Sequence, residues 1–287
     1  MSKRTLLVND DKLEARIDAI YRSALFEHPL YGKIDTKRVK KIISTALRRI
    51  DAFEDAARED ENNRLAIDFD VAKEIGAIWA IAGVGTYDEP VTANDNPQLI
   101  YRPWARWMDR DRIDHALLLA QKIARLQCPK VGPMEKPPSQ YLPYVIYNGH
   151  DTQNAVFEKV IARGDSMLPK EKVKIIYGDL KITVDQIKTF KLPNDDTLAG
   201  KEIAIVSHAP HLCRIMHMIN KYKPLPPGSV PYLFLLPTPG GGRDEFTQME
   251  VKGLLYYMLL TEDASEDPYP YELRHSGSPH ENFRLTR

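Results

Sequence analysis

A chain of 287 residues, 43% hydrophobic and 28% charged, has a globular composition and enough length to bury a large core. Its 40 basic and 40 acidic residues cancel, which removes the overall electrostatic case for a nucleic-acid partner. No apolar run approaches about 18 residues, and the N-terminal stretch meets acid almost at once, so neither a membrane span nor a signal peptide is expected and the cytoplasm is the expected location.

Residues 1–75 are expected to form an N-terminal helical region. Asp10 or Asp11 can cap a helix carrying Leu13, Ile17, Ile20, Tyr21 and Leu25. Asp35 can cap a second, in which Val39, Ile42, Ile43, Ala46, Leu47, Ile50 and Phe53 keep the three-and-four spacing of one buried face. The basic residues Lys37, Arg38, Lys40, Lys41, Arg48 and Arg49 fall mostly on other faces and read as a solvated surface. These helices are also the expected surface of any homo-oligomer. A weaker helix covers Phe69 to Ile75.

The texture changes at Ala77, and residues 76–262 are expected to form an α/β domain. The run Ala77 to Ala82 reads as a buried strand, followed by Gly83-Val84-Gly85. Thr86 to Arg110 is long for a connector, which points to a functional or mobile loop. A strong helix follows from Asp111 to about Leu126. Tyr144 to Tyr147 is a second strand, ending in Asn148-Gly149-His150-Asp151, with a helix over Asn154 to Ala162. Val173 to Tyr177 is a third, ending in Gly178-Asp179 before a helix that starts near Lys181 and Thr183. The fourth, Ile203 to Val206, breaks into Ser207, His208, Ala209, Pro210 and His211, then resumes as a helix through Arg214. Val230 to Leu236 is a fifth, followed by a triple glycine, Arg243 and a helix over Phe246 to Leu260. The tail, 263–287, is expected to be irregular.

Short apolar strands alternating with helices predict a parallel sheet with helices on both faces. Right-handed crossovers bring the strand C-termini to one edge. Gly83, Gly85, Asn148, Gly149, Thr183, Ser207 and Arg214 are therefore the candidate ligand-binding residues, with Asp179 and His211 as candidate proton-transfer groups. Helix N-termini at that edge favour an anion, and Arg214 and Arg243 can clamp a phosphate or carboxylate. The expected partner is thus an anionic small molecule: a nucleotide, an adenosyl compound or a phosphorylated compound. Neither glycine loop is a phosphate-binding fingerprint, because Gly83-Val84-Gly85 lacks a third glycine and the triple glycine lacks the lysine and hydroxyl. His208 and His211, with His150 and Asp179, are a conceivable zinc set, yet Pro210 leaves their directions open and no metal is expected. Ser207 lacks the glycine elbow of hydrolase nucleophiles. Cys128 and Cys213 read as reduced thiols, and Trp79, Tyr256 and Tyr257 as core.

Ser207-His208-Ala209-Pro210-His211-Leu212-Cys213-Arg214 resembles the hydroxyl-small-small-x-His-x-x-Arg signature of the domain-of-unknown-function family 218 (DUF218), the SanA, ElyC and YdcF-like proteins. Ala82-Gly83-Val84-Gly85 is similar to that family's glycine loop, and Arg112-Ile113-Asp114-His115-Ala116-Leu117 to its Arg-Leu-x-x-Ala-Leu helix. Asn148-Gly149-His150, Asn154-Ala155, Lys181 to Gln186 and Glu250 to Tyr257 stand, in order, where its remaining motifs stand. The chain departs from the pattern at Asn154, Lys181, Ile182, Gln186 and Pro210. The resemblance covers about Ala77 to Leu260 and implies a Rossmann-like sheet with the site lined by these motifs. It further implies a link to bacterial envelope metabolism and, as in some members, binding of S-adenosylmethionine. An enzyme acting on such a ligand is the first functional expectation. A non-catalytic binding or regulatory module and a metal-dependent hydrolase are the alternatives.

Overall fold

The structure is a computed structural model, and it describes residues 10–61, 67–90, 99, 102–130, 132, 135–164, 168–178, 180–239 and 241–273. Helix α1 spans Asp10–Glu27 and α2 spans Thr36–Glu61; α3 (Phe69–Glu74) runs straight into β1 (Ile75–Ala80). Then follow α4 (Met108–Gln127), β2 (Tyr144–Tyr147), α5 (Asp151–Arg163), β3 (Val173–Ile175) and α6 (Thr183–Thr189). The remaining elements are β4 (Glu202–His208), α7 (Ala209–Tyr222), β5 (Tyr232–Leu236), α8 (Arg243–Leu259) and β6 (Glu272–Leu273).

The six strands make one sheet in the order β3-β2-β1-β4-β5-β6, and every pairing is parallel. From β1 the chain moves outward through β2 and β3, then returns to the other side of β1 for β4. This is a Rossmann-like α/β fold, and its switch point lies between β1 and β4. Crossovers of one hand put the C-terminal ends of the strands on a common edge.

Side chains alternate between the two faces. Ala77, Trp79, Ile203, Ile205, Leu233 and Leu235 join the cluster built by α2, α7 and α8. Ile78, Ala80, Ala204, Val206, Tyr232 and Phe234 join the cluster built by α3, α4 and α5. Both faces are covered, so the strands read as unbroken apolar runs rather than as alternation. The N-terminal helices belong to this packing. Val39, Ile43, Leu47, Ile50 and Phe53 lie in the same core as Trp79 and Ile205, because α2 packs on α7, α8 and β5. Helix α1 packs on the outside of α2, tied by an Arg16–Asp51 ion pair of 2.7 Å.

The structure shifts several boundaries. Ile75 opens β1 instead of closing the preceding helix, because its side chain enters the core beside Val71 and Ile78. The tail expected to be irregular contributes β6, whose Glu272 pairs with Tyr232 of β5. Helix α4 begins at Met108, inside the stretch expected to be loop, and β4 carries on through Ser207 and His208. Residues 91–98, 100 and 101 of the expected loop lie outside the described residues. Among the described residues, no helix is long and apolar enough to cross a membrane.

Candidate functional site

A cavity of about 280 Å³ lies at the C-terminal edge of the sheet, close to the lower end of the usual small-molecule range of about 300–1,000 Å³. It draws residues from the segments that follow β1, β2, β3 and β4, and from the first turns of α8.

Gly83 and Gly85 line it after β1. A side chain at Gly83 would stand 2.8 Å from the backbone nitrogen of Asp109, so only glycine lets the first turn of α4 pass this close. The Gly83 amide donates to the Asp109 carboxylate at 3.0 Å. The same carboxylate accepts from the Tyr147 hydroxyl at 2.7 Å, and burial with this neighbour holds that phenol well above its usual pKa. Gly85 adopts a left-handed φ of 79°. The carbonyls of Gly83 and Gly85 both accept from Gln153 Nε2, at 2.7 Å each, which fixes the loop to α5.

Asn148 and Gly149 support the wall rather than form it. Asn148 accepts from Trp79 Nε1 at 2.9 Å and donates to the Gln186 carbonyl at 2.6 Å, joining β1, β2 and α6. The Gly149 amide donates to Asn154 Oδ1 at 3.0 Å. Their neighbours His150 and Gln153 line the cavity, as do Thr183 and Gln186 from the start of α6. Asp179 lies outside the described residues.

At the end of β4, Ser207 Oγ and His211 Nδ1 are 3.0 Å apart. Ser207 is fully buried and His211 lines the cavity, so the hydroxyl orients the imidazole. Burial first, then the charges of Arg112 and Arg214 and the neighbouring His208, push His211 well below the usual histidine pKa. The ring is neutral at pH 7, and its Nε2 has no hydrogen-bond partner among the described residues. His208 turns elsewhere: its Nδ1 accepts from Arg112 Nε at 3.1 Å. Among the described residues, no three His, Cys, Asp or Glu side chains come together as a metal-binding group.

The two arginines expected to clamp an anion are largely engaged. Arg214 lines the cavity but pairs with Glu250 through Nε at 2.6 Å and Nη2 at 3.3 Å. Arg243 is bound to α2, at 3.1 Å from both Asp51 and Asp55, and does not line the cavity. Its expected place in the crevice is corrected by those two carboxylates.

Arg112 of α4 stands in a motif that the family resemblance covers, but it is not among the candidate binding residues. It lines the cavity and is 2% exposed. Its Nη1 donates to the carbonyls of Ile81 at 3.1 Å and Ala82 at 2.7 Å, and its Nε to neutral His208. Among the described residues it forms no ion pair. Burial lowers its pKa to about 10, with the more distant Glu250 and Asp109 acting the other way, so it remains charged at neutral pH. A signal for it stood in the sequence. Arg112 sits on the apolar stripe of α4 with Ile113, Ala116 and Leu119, where a charge needs a reason. Comparison with known protein families, curated protein sequences and solved structures finds no match to this chain.

Proposed function

We infer that the cavity binds a small molecule through an anionic group, with Arg112 as its counter-ion and His211 as the group that handles a proton. The observation that carries this is the Arg112 guanidinium, buried against a cavity with only neutral direct partners. A buried cation lacking a carboxylate partner is unfavourable by itself, and a phosphate or carboxylate entering the cavity supplies the missing charge. His211 adds a neutral imidazole whose Nδ1 is held by Ser207 and whose Nε2 is uncommitted. With Nδ1–H donated to Ser207, Nε2 can accept a hydrogen bond from a bound ligand, and an anion at Arg112 would offset the charge that depresses the imidazole and so favour proton transfer to it. The resemblance to the DUF218 proteins rests partly on Gly83, Arg112, His211 and Arg214, which line the cavity, and on Ser207, which is bonded to His211. It makes adenosyl and phosphorylated compounds the first ligands to try, S-adenosylmethionine among them.

Non-catalytic binding is favoured by one feature. Ser207 is bonded to His211 and Arg214 to Glu250, so a bound ligand meets side chains already engaged with the protein. The two roles separate on the fate of the ligand, since an enzyme converts it and a binding module releases it unchanged.

A thermal-shift screen of phosphate, sugar phosphates, nucleotides, dicarboxylates and S-adenosylmethionine tests the site. At least one anion is expected to raise the unfolding midpoint of the wild type. Arg112→Met is expected to lose that response, with affinity reduced at least about thirtyfold, a loss on the order of 2 kcal/mol. No stabilising anion, or an equal response from the variant, would remove Arg112 and the site with it.

A further inference from the structure

The lining of this cavity reverses the usual order of a protein surface, with charge inside and apolar groups outside. Arg112, His211 and Glu250 are 2%, 4% and 3% exposed. Ile182, in the same lining, is 48% exposed, and Val84 and Met249 are half-buried. These three come from separate segments: the loop after β1, the residue just before α6, and the second turn of α8. One exposed apolar side chain needs no explanation. Three that converge on one cavity, above buried charge, mark a surface for an apolar group.

Two of the three are backed by packing. Val84 and Met249 lie against a small buried cluster that includes Leu99, Met108 and Phe246, separate from the two cores that cover the sheet. Phe246 is in turn stacked on Trp104, with ring centroids 4.8 Å apart. The apolar wall is therefore formed before anything binds, and a group laid against it leaves water with little reordering of the protein. His150, Lys181 and Thr183 also line the cavity and keep the rest of its lining polar.

We propose that the ligand is an amphipathic anion, with a phosphate or carboxylate head at Arg112 and a compact alkyl or aryl group against Val84, Ile182 and Met249. This assignment rests on anion binding at Arg112 and adds the chemistry of what the anion carries. A cavity of about 280 Å³ restricts the apolar group to a short one. Charge fixes the head, and burial of the tail separates an alkyl ligand from a hydroxylated one, whose hydroxyls give up water at an apolar wall.

Calorimetric titration with a homologous series separates the two contacts. The probes are methyl, propyl and pentyl phosphate, with glycerol 3-phosphate as the hydroxylated counterpart of propyl phosphate. Each methylene buried on the wall should tighten binding roughly two- to fourfold, so wild-type protein is expected to bind pentyl phosphate at least about fifteenfold more tightly than methyl phosphate. Propyl phosphate is expected to bind more tightly than glycerol 3-phosphate. Ile182→Ser combined with Met249→Gln is expected to flatten the series and to bind methyl phosphate as the wild type does. Serine is favoured at the N-cap position that Ile182 occupies, and circular dichroism checks that the fold is kept. Ile182→Val combined with Met249→Leu keeps an apolar wall and should keep the series. Methyl phosphate bound with no gain along the series, or a gain intact in the Ser and Gln variant, would overturn the apolar wall and leave the anion site standing. A series flattened in the Val and Leu variant as well would overturn apolar burial as the source of the gain. If no member of the series binds, the anion site falls and the apolar wall falls with it.

Discussion

His217 sits on α7 away from the cavity, and its two nitrogens have fixed roles. Nδ1 donates to the Ser265 carbonyl at 2.8 Å, so Nε2 must accept from Arg49 Nη1 at 2.6 Å. Burial and the Arg49 charge depress its pKa to about 4. The unfolded chain therefore takes up a proton below about pH 6.5 that the folded chain refuses until about pH 4. Stability should fall across that window as pH drops, by on the order of 3 kcal/mol from this residue. His208 and His211 push in the same direction. Urea midpoints measured between pH 7 and pH 4 check this. His217→Gln should lose less stability than the wild type over the window, and parallel profiles would contradict the assignment. At this scale the sequence was only partly legible. His211 and Ser207 stand out where an apolar strand breaks into polar residues, and the structure does bring them together. Arg214 stands out equally, but its engagement with Glu250 depends on a helix 36 positions away and has no local signature.

At the scale of elements, buried charges on apolar stripes carry the information that periodicity alone misses. Arg112 on α4 is one. Glu54 on α2 is another, fully buried on the stripe of Ile50, Phe53 and Ala57. Its carboxylate accepts from the Thr238 amide at 3.1 Å and from the Thr238 hydroxyl. Helix α2 thereby fixes the turn between β5 and α8, and α8 carries Phe246, Met249 and Glu250 into the cavity wall. Glu54→Leu leaves two buried donors without an acceptor and should cost on the order of 2–4 kcal/mol in chemical denaturation. Glu54→Gln keeps an accepting oxygen and should cost clearly less. Equal losses in the two variants would mean that the clamp on Thr238 is not what Glu54 contributes. Helices with a clean stripe and strands with β-branched runs were legible from the sequence. The two-residue β6 was not, since its pairing with β5 is a tertiary choice that a short polar tail does not announce.

For the whole molecule, the sheet and its helices share one core on the α2 side. Phe53 of α2 packs edge-on against Tyr271, just before β6, with ring centroids 5.6 Å apart. The N-terminal helices and the C-terminal strand therefore close over the same face. Unfolding should be a single transition, with tryptophan fluorescence and far-ultraviolet circular dichroism changing together. Phe53→Ala should lower its midpoint by an amount equivalent to about 3–5 kcal/mol. An early transition confined to helical signal would instead make α1 and α2 a separate unit. The parallel sheet with both faces covered was legible from the alternation of short apolar runs and helices. The attachment of α1 and α2 was not, because an amphipathic stripe says that a face is buried without saying against what.

The Arg112 guanidinium is buried at the switch point of the sheet without an ion pair among the described residues, and anion binding there is what we propose. The most direct measurement is a calorimetric titration of the best stabilising anion into wild-type protein and into Arg112→Met, at low and at moderate salt. Saturable binding at one site is expected in the wild type, with a loss of at least about thirtyfold in the variant, which keeps its fold by circular dichroism. Binding of equal strength by the two proteins would contradict it.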